Sequence, residues 1–196
     1  MSDLRISIGV TGHRWLEEPP GLRQRVGEVV RRIAGPPDGA GRQLQVVSPL
    51  AEGTDRLVAQ EAMTLGAELK CPLPFSADEN ERDFSSPESI VVFRGLLAVA
   101  GEVTVVGDAG STREERNGAY VAAGRAMLAL SDVLIAVWDG LPSRGEGGTA
   151  QIVAEAQDNE IPVVWIRAAA PHGVTLLPAT PGGSWRADLD GFLSRG

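Results

Sequence analysis

The stretch SDVLIAVWDGLPSRGEGGTAQIVAEA, from Ser131 to Ala156, decides the fold class. Its run VLIAVW (Val133 to Trp138) is apolar at every position, which is typical of a parallel strand that is buried on both faces of a sheet. Glycines and a threonine come next, and a helical pattern then covers Gly148 to Asp158. A strand that passes through a loop into a helix belongs to a β-α-β unit, the building block of parallel α/β folds.

The same alternation of strand and helix repeats along the chain. Short β-branched runs predict strands, and segments with apolar residues every three or four positions predict helices. One strand, over residues 67–75, is predicted to be weak because prolines interrupt it. We therefore expect a single domain, α/β, with a Rossmann-like doubly wound parallel sheet over residues 1–168, followed by an irregular tail, residues 169–196, that contains a short helix over residues 187–193. The other predicted strands cover residues 5–10, 44–48, 102–107 and 161–166, and the other predicted helices cover residues 21–35, 54–66, 87–100 and 112–130.

The composition argues against several classes of protein. The 196 residues carry a formal net charge of −8, and an acidic surface disfavours nucleic acid, whose phosphates select basic patches. The single cysteine, Cys71, excludes an internal disulfide and fits a reducing compartment. The first residues do not resemble a signal peptide, and no apolar run reaches the length of a membrane span. We therefore expect a cytoplasmic protein whose partners include neither nucleic acid nor a membrane.

Three loops at predicted strand ends share an unusual composition. They are GVTGHR (Gly9 to Arg14), SPLAEGTDR (Ser48 to Arg56) and WDG…GEGGTAQ (Trp138 to Gln151). Ligands of open α/β sheets bind beyond the carboxyl ends of the strands, and the N–H groups of a helix N-terminus suit a phosphate. The predicted ligand-binding residues are Thr11, Gly12, His13, Arg14, Glu52, Gly53, Thr54, Asp55, Arg56, Trp138, Asp139, Gly140, Gly147, Gly148 and Thr149.

Each loop also has an ordinary structural explanation. Glycines serve tight turns without any ligand, Thr54 and Asp55 are suitable helix caps, and Trp138 fits either the core or a stacking position against a base. His13 is more often a surface or hydrogen-bonded histidine than a catalyst. Arg56 is harder to explain, because a cation opposes the dipole at a helix N-terminus unless an anion lies between them.

Several familiar motifs are missing from the sequence. There is no GxxxxGK[ST] run, and the loop after the first strand lacks the GxGxxG fingerprint. Two histidines and one cysteine offer no metal-ligand spacing, and no GxSxG nucleophile turn is present. We therefore expect no metal site and no resident cofactor.

The three loops, in this order, resemble motifs of the SLOG superfamily. SPLAEGTDRLVAQEA (residues 48–62) is similar to the SGxAxGID-type loop of the DNA-processing proteins A. SDVLIAVWDG…GGTAQIV (residues 131–153) is similar to the strand and PGGxGTxxE loop of the Lonely Guy phosphoribohydrolases. The resemblance spans residues 5–166 and implies a Rossmann-like fold that binds a nucleotide or a nucleotide-derived signal. It also implies a homodimer, and related modules are often linked to TIR or membrane effectors.

The sequence departs from the phosphoribohydrolases at two positions that matter for their chemistry. Those enzymes carry a glutamate three residues after the loop threonine, and the residue at that spacing from Thr149 is Ile152. They also carry an arginine nine residues before the aspartate that opens the strand, where this chain has Ala123. The charged residues nearby that could replace them are Arg116, Arg125, Glu146 and Glu155.

Three hypotheses of function follow from these observations. The first is a sensor module that binds a nucleotide or an ADP-ribose-like ligand, as a homodimer, and acts on an effector protein. The second is a nucleotide N-glycosidase of the phosphoribohydrolase type, in which Glu52 or Glu146 supplies the acid and His13 shuttles a proton. The third is an interaction protein whose glycine loops bind nothing.

Overall fold

The computed structural model describes residues 5–16, 21–35, 43–110, 112–142 and 148–177. Seven strands and six α-helices lie within this part of the chain. The strands are β1 (Arg5–Gly12), β2 (Gln43–Val47), β3 (Glu68–Leu73), β4 (Glu102–Val105), β5 (Val133–Trp138), β6 (Val163–Arg167) and β7 (Val174–Leu177). The helices are α1 (Leu22–Ala34), α2 (Thr54–Thr64), α3 (Ala77–Asn80), α4 (Pro87–Ala98), α5 (Arg113–Ala129) and α6 (Thr149–Asp158), and a 3-10 turn (Glu81–Asp83) follows α3.

These strands form one sheet in the order β4-β3-β2-β1-β5-β6-β7. Neighbouring strands are parallel, except that β6 and β7 are antiparallel. The strand β5 has a neighbour on each side and is buried at all six positions, as its unbroken apolar sequence predicts. The Rossmann-like, doubly wound α/β fold is therefore confirmed.

Helices cover both faces of the sheet. Apolar residues of α1, α2 and α4 pack with Ile6, Ile8 and Val10 of β1 in one core. On the opposite face, Met127 of α5 and Ile152 of α6 belong to a second core. Successive residues of β5 alternate between the two cores, because side chains along a strand point to opposite faces.

The direction in which successive strands are added to the sheet reverses between β1 and β5. The strand β1 leads into α1 on one face and β5 leads into α6 on the other, so the loops that follow these two strands diverge. The carboxyl ends of the strands lie side by side, with Thr11 paired to Ala136 and Gly12 paired to Val137. A crevice at such a switch point is the usual ligand site of an open α/β sheet.

The strand β3 differs from its prediction, because it runs through Pro72 without interruption. The backbone carbonyl of Lys70 points toward β2, since it accepts a hydrogen bond from the Ser48 N–H at 2.9 Å. Leu73 faces β4, since its carbonyl accepts from the Val106 N–H at 2.9 Å. Because the backbone groups of successive residues point to alternate sides of a strand, the backbone of Pro72 points toward β2. The pairing of β3 with β2 ends at Lys70. The missing N–H of Pro72 therefore leaves no position of the hydrogen-bond ladder empty.

A strand lies within the segment that the sequence predicts as a tail. β7 pairs with β6 from Val163↔Leu177 to Ile166↔Val174 and forms one edge of the sheet. Its four residues are too few to show a strand period in the sequence. The helix predicted over residues 187–193 falls outside the described residues, and the division of the chain at residue 168 stays a prediction.

The helix α5 begins with a polar turn that a cap stabilises. The Thr112 hydroxyl accepts a hydrogen bond from the Glu115 N–H at 3.2 Å, and the Glu115 carboxylate accepts from the Thr112 N–H at 2.9 Å. This reciprocal capping box explains why a polar sequence is helical from Arg113 onward. Neither α5 nor any other described helix combines the length and the apolar content needed to cross a lipid bilayer.

Candidate functional site

A cleft of about 420 Å³ opens at the carboxyl ends of β1 and β5. The loop after β1 and the residues around the start of α2 line one part of it, and α5 and the N-terminus of α6 line another. The polar side chains of the lining include Arg14, Asp55, Asn117 and Tyr120, and the apolar ones include Val10, Ala123, Met127 and Ile152.

Direct hydrogen bonds join the loop after β1 to the end of β5 and to the start of α2. The His13 N–H donates to the Val137 carbonyl at 3.0 Å, and the Thr54 N–H donates to the His13 carbonyl at 3.1 Å. The Thr54 hydroxyl donates to the same carbonyl at 3.2 Å. A side chain at Gly12 would meet the Val137 carbonyl at 2.4 Å, and one at Gly53 would meet the His13 carbonyl at 2.4 Å. The two glycines therefore allow the loops to approach this closely.

The Arg14 side chain reaches α5 on the opposite wall of the cleft. Its guanidinium carbon lies 4.7 Å from the centre of the Tyr120 ring. The Tyr120 hydroxyl donates a hydrogen bond to Asp83, and burial raises the pKa of Tyr120. Arg116 pairs with Asp83 at 2.6 Å and also with Glu79. These contacts tie α5 to the segment after β3 and hold the charge of Arg14 beside the cleft.

Asp55 is a buried carboxyl group that lines the cleft. Burial raises the pKa of Asp55 from its ordinary value of 3.8 to about 7, although the Ala51 N–H and the charges of Arg14 and Arg56 act in the opposite direction. The Ala51 N–H donates to one carboxyl oxygen at 3.2 Å. The helix N-terminus also favours the charged form, but by less than about 1 kcal/mol at an ordinary site. Asp55 can therefore gain or lose a proton near neutral pH.

The N-terminus of α6 faces the same cleft through Gly148 and Thr149. Within the described residues the N–H groups of Thr149 and Ala150 have no partner and no side chain caps α6, whereas the Gln151 N–H donates to the Gly148 carbonyl at 3.0 Å. These N–H groups carry the positive end of the helix dipole, and the Thr149 hydroxyl adds one more donor. The arrangement suits an anion.

A groove of about 350 Å³ adjoins the cleft, and the two share lining residues after β1 and at the start of α6. The loop after β1 contributes Trp15, and the loop after β5 contributes Leu141 and Pro142. His13 Nε2 lies 3.5 Å from Asp139 Oδ1. The Leu141 N–H donates to Asp139 at 2.9 Å and holds the pKa of that carboxyl below its ordinary value.

Trp138 is part of the core at the base of this groove. Only 7% of it is exposed, and its ring centre lies 4.8 Å from that of Trp165. The indole N–H of Trp138 donates to the Leu141 carbonyl at 3.3 Å, and that of Trp165 donates to the Trp138 carbonyl at 3.1 Å. Of the two roles considered for Trp138, the structure shows the packing role.

Glu52 and Arg56 bind their own neighbours. Glu52 accepts from the Ser85 N–H at 2.9 Å and from the hydroxyls of Ser85 and Ser89. Burial disfavours the charged form, but these hydrogen bonds outweigh it, and the pKa of Glu52 lies below its ordinary value. Arg56 donates to the Leu50 carbonyl at 3.0 Å and to the Ser89 carbonyl at 2.8 Å, and its guanidinium lies over Phe84.

Both residues line a separate cavity of about 390 Å³, which shares Arg14 with the cleft. Gly53 also lines that cavity, whereas Thr54 is fully buried between the loops. Gly140 is exposed, and a side chain there would meet Trp165 at 2.8 Å. The described members of the predicted set therefore divide between three cavities, the protein interior and, for Gly140, the exposed surface.

The residues of the predicted set that line the cleft are Thr11, Gly12, His13, Arg14, Asp55, Gly148 and Thr149. Those that line the groove include Trp138 and Asp139. Glu146, a candidate acid, and Gly147 fall outside the described residues. The role of each of these residues as a ligand contact stays a prediction.

The lining includes residues that were not predicted, and three of them carry polar or aromatic side chains that could contact a ligand. Asn117 and Tyr120 line the cleft from α5, and Trp15 lines the groove. Asn117, Tyr120, Gly124 and Met127 recur at intervals of three or four residues, so a polar start to one helical face was the available signal. Trp15 follows GVTGHR directly, and nothing in its spacing distinguishes it from a core tryptophan.

The fold is similar to that in the X-ray structure of DNA processing protein A from Streptococcus pneumoniae, with a TM-score of 0.55. The similarity covers 85% of this chain and 52% of that protein, so this chain spans about half of its length, and the sequence identity is 17%. No protein-family model and no curated protein matches the chain. The likeness supports the fold that the SLOG resemblance implies, and at this identity it shows the fold alone.

Proposed function

We propose that the cleft binds a nucleotide or an ADP-ribose-like ligand and that the chain is a sensor module. One observation carries the proposal: Arg14 and the N-terminus of α6, which no side chain of the described residues caps, line the same cleft at the switch point of the sheet. A side-chain charge and backbone donors that converge in a partly enclosed space favour a phosphate over a neutral ligand.

The shape of the site supports a ligand with two arms. The cleft and the groove, at about 420 and 350 Å³, each fall in the range of small-molecule sites, and both include Gly148 and Thr149. A phosphate at the start of α6 would leave room for one group on each side. In the cleft, Asp55, Asn117 and Tyr120 offer hydrogen-bond partners for the hydroxyls of a sugar.

The finer parts of this proposal rest on the SLOG resemblance. They are the action as a homodimer and the existence of an effector protein that responds to the bound state, whereas the proposed cytoplasmic location rests on the single cysteine. The acidic net charge of −8 is compatible with a small anionic ligand only where cations lie locally, as Arg14 does at the cleft.

The described geometry gives little support to the hydrolase hypothesis in its predicted form. Ala123 and Ile152, which stand where the phosphoribohydrolases have an arginine and a glutamate, both line the cleft as apolar side chains. The candidate replacements Arg125 and Glu155 pair with each other at 2.9 Å. Glu52 points to Ser85 and Ser89 and has a lowered pKa, which makes it a poor general acid.

Asp55 favours hydrolysis as a second candidate function. A carboxyl group whose pKa burial raises to about 7 can act as a general acid near neutral pH, and Asp55 lines the cleft. In this version Asp55 would protonate the leaving base of an N-glycoside while water attacks the sugar carbon. The base would leave with the proton of Asp55, and the attacking water would return a proton to the carboxylate.

A ligand panel separates the two functions. Purified protein is mixed with AMP, ADP-ribose or ribose 5-phosphate, and both the unfolding transition and the release of free base are recorded. A ligand at a hundred times its dissociation constant should add about 2.7 kcal/mol to the free energy of unfolding. Stabilisation without base release supports binding alone. Base release that is lost in Asp55→Asn supports the hydrolase.

Arg14→Gln tests whether the phosphate lies where we propose. We expect the affinity for AMP to fall about tenfold or more, because a charge-assisted hydrogen bond is lost. Arg125→Gln is the matched control, since Arg125 is 62% exposed and pairs with Glu155 outside the cleft. Equal affinities of the two variants would contradict the assignment, and the failure of every member of the panel to bind wild-type protein would contradict the proposed function.

A further inference from the structure

Trp15 is the most exposed large apolar side chain of the described residues. It is 72% exposed, although it lies in a loop whose neighbours His13 and Arg14 both line cavities. Among the described residues, none stacks on its ring or bonds its indole N–H. Arg14, the adjacent cation, lies over Tyr120 instead. A large aromatic surface that the fold leaves uncovered beside a cleft is typical of a binding position.

The groove presents this ring to a planar group. Trp15 contributes an aromatic surface from the loop after β1, and Leu141 and Pro142 contribute apolar surface from the loop after β5. The groove continues to Gly148 and Thr149 at the start of α6, where a phosphate would lie. Trp138 cannot supply the stacking surface, because its ring packs on Trp165 and is buried.

We propose that Trp15 is a specificity-determining residue that stacks on the aromatic base of the ligand. This inference rests on the proposed function and adds the orientation of the ligand in the site. The base lies in the groove against Trp15, the phosphate lies at the N-terminus of α6, and a second sugar lies in the cleft beside Asn117. A mononucleotide fills the groove and the phosphate position, whereas an ADP-ribose-like molecule fills the cleft as well.

Trp15 would select for aromatic bases in general. Stacking on an indole tolerates every base because each has a π-face, so this contact favours a nucleotide over a sugar phosphate. Asp139, 40% exposed and close to His13 in the same groove, adds a carboxylate that can accept a hydrogen bond from an amino group of a base.

The test compares two probes that differ only in the base, AMP and ribose 5-phosphate. Binding of each is measured by calorimetry to wild-type protein, Trp15→Ala and Trp15→Phe. We expect Trp15→Ala to lower the affinity for AMP about tenfold and to leave that for ribose 5-phosphate unchanged, since stacking on one base is worth about 1–3 kcal/mol. Trp15→Phe should retain most of the affinity because a phenyl ring still stacks.

Asn117→Ala is the matched control at the other end of the site. It should weaken binding of ADP-ribose and leave binding of AMP unchanged, so that the two variants discriminate between the two arms. An equal loss for AMP and ribose 5-phosphate in Trp15→Ala would overturn the stacking role and indicate a general effect of the loop. No loss of AMP affinity would overturn it as well. If AMP, ADP-ribose and ribose 5-phosphate all fail to bind wild-type protein, the proposed function falls and this inference falls with it.

Discussion

The loop between β2 and α2 and the loop between β5 and α6 have the same kind of sequence but different surroundings. Both follow a core strand, carry glycine and threonine, and end at a helix N-terminus. In the first, Thr54 binds the His13 carbonyl, Glu52 binds two serines, and Arg56 binds two carbonyls. In the second, Gly148 and Thr149 line both the cleft and the groove, and no described side chain caps the helix.

The two helix N-termini differ in whether the fold already uses their surroundings, and only donors that the fold leaves unused can serve a ligand. The start of α2 is crossed by the loop after β1, because β1 and β2 are neighbours and their helices lie on the same face. The start of α6 lies on the opposite face from α1, and it lines the cleft and the groove together with the loop after β1. Strand order therefore assigns a structural role to one loop and an open position to the other.

Among the variants that test this comparison, Gly53→Ala should cause the largest loss of stability. The added methyl would meet the His13 and Arg14 carbonyls at 2.4 Å, at a residue whose φ is +78°. We expect the free energy of unfolding, measured in urea, to fall by about 4 kcal/mol from the combined clash and backbone strain.

Gly66→Ala is the control for Gly53→Ala. Its φ of +83° is similar, and an added methyl would meet no atom within 4 Å. It should therefore cost only the strain of the backbone, about 1 kcal/mol. Equal losses in the two variants would show that the contact between the loops contributes nothing.

Asp55→Asn should have the next largest effect, and its size should depend on pH. The folded state raises the pKa of Asp55 from 3.8 to about 7, so it binds more protons than the unfolded state between these values. The contribution of Asp55 to the stability of the wild-type protein therefore falls as the pH rises from about 4 to 7. The asparagine does not ionise. The free energy of unfolding of the variant, relative to that of wild-type protein, should therefore rise by about 3 kcal/mol between pH 4 and pH 8.

Glu52→Gln is the companion variant, and the sign of its pH dependence is opposite. Because the folded pKa of Glu52 is lowered, its contribution is present above 4.5 and is lost as the pH falls through the folded value. The variant should lose about 2 kcal/mol at neutral pH and less in acid. Urea unfolding of both variants at pH 4, 6 and 8 measures the two trends. Trends of the same sign would refute the environments described for the two carboxyl groups.

Thr149→Val should have the smallest effect on stability. Thr149 is partly exposed and lines the two binding cavities, so the free energy of unfolding should change by less than about 0.5 kcal/mol. Affinity for AMP should nevertheless fall several-fold, because in the proposed site the hydroxyl would be one of the donors to the phosphate. A large loss of stability with unchanged affinity would show that Thr149, like Thr54, has a structural role and does not contact the ligand.

The fold was predictable because its signals are local. The apolar run of β5 and the periodic helices determine the sheet, and the Thr112 to Glu115 capping box explains the start of α5. The uninterrupted course of β3 was not predictable, because only the register with β2 shows that Pro72 needs no partner. β7 was missed because four residues give no period.

The site was predictable in position but less so in its members. The loops after β1 and β2 do meet at the carboxyl ends of the strands, and the described end of the third loop lines the same cleft. The directions of Glu52 and Arg56 depend on Ser85, Ser89 and Phe84, which are some thirty residues away in sequence and carry no motif. Burial likewise decides the protonation of Asp55, and no local pattern reports it.

Arg14 lines all three cavities around the loop after β1. One guanidinium cannot satisfy separate anions in three compartments at once, so occupancy of one compartment withdraws its charge from the other two. A molecule that draws Arg14 toward the cavity lined by Glu52 and Arg56 would therefore compete with a ligand of the cleft without touching the cleft.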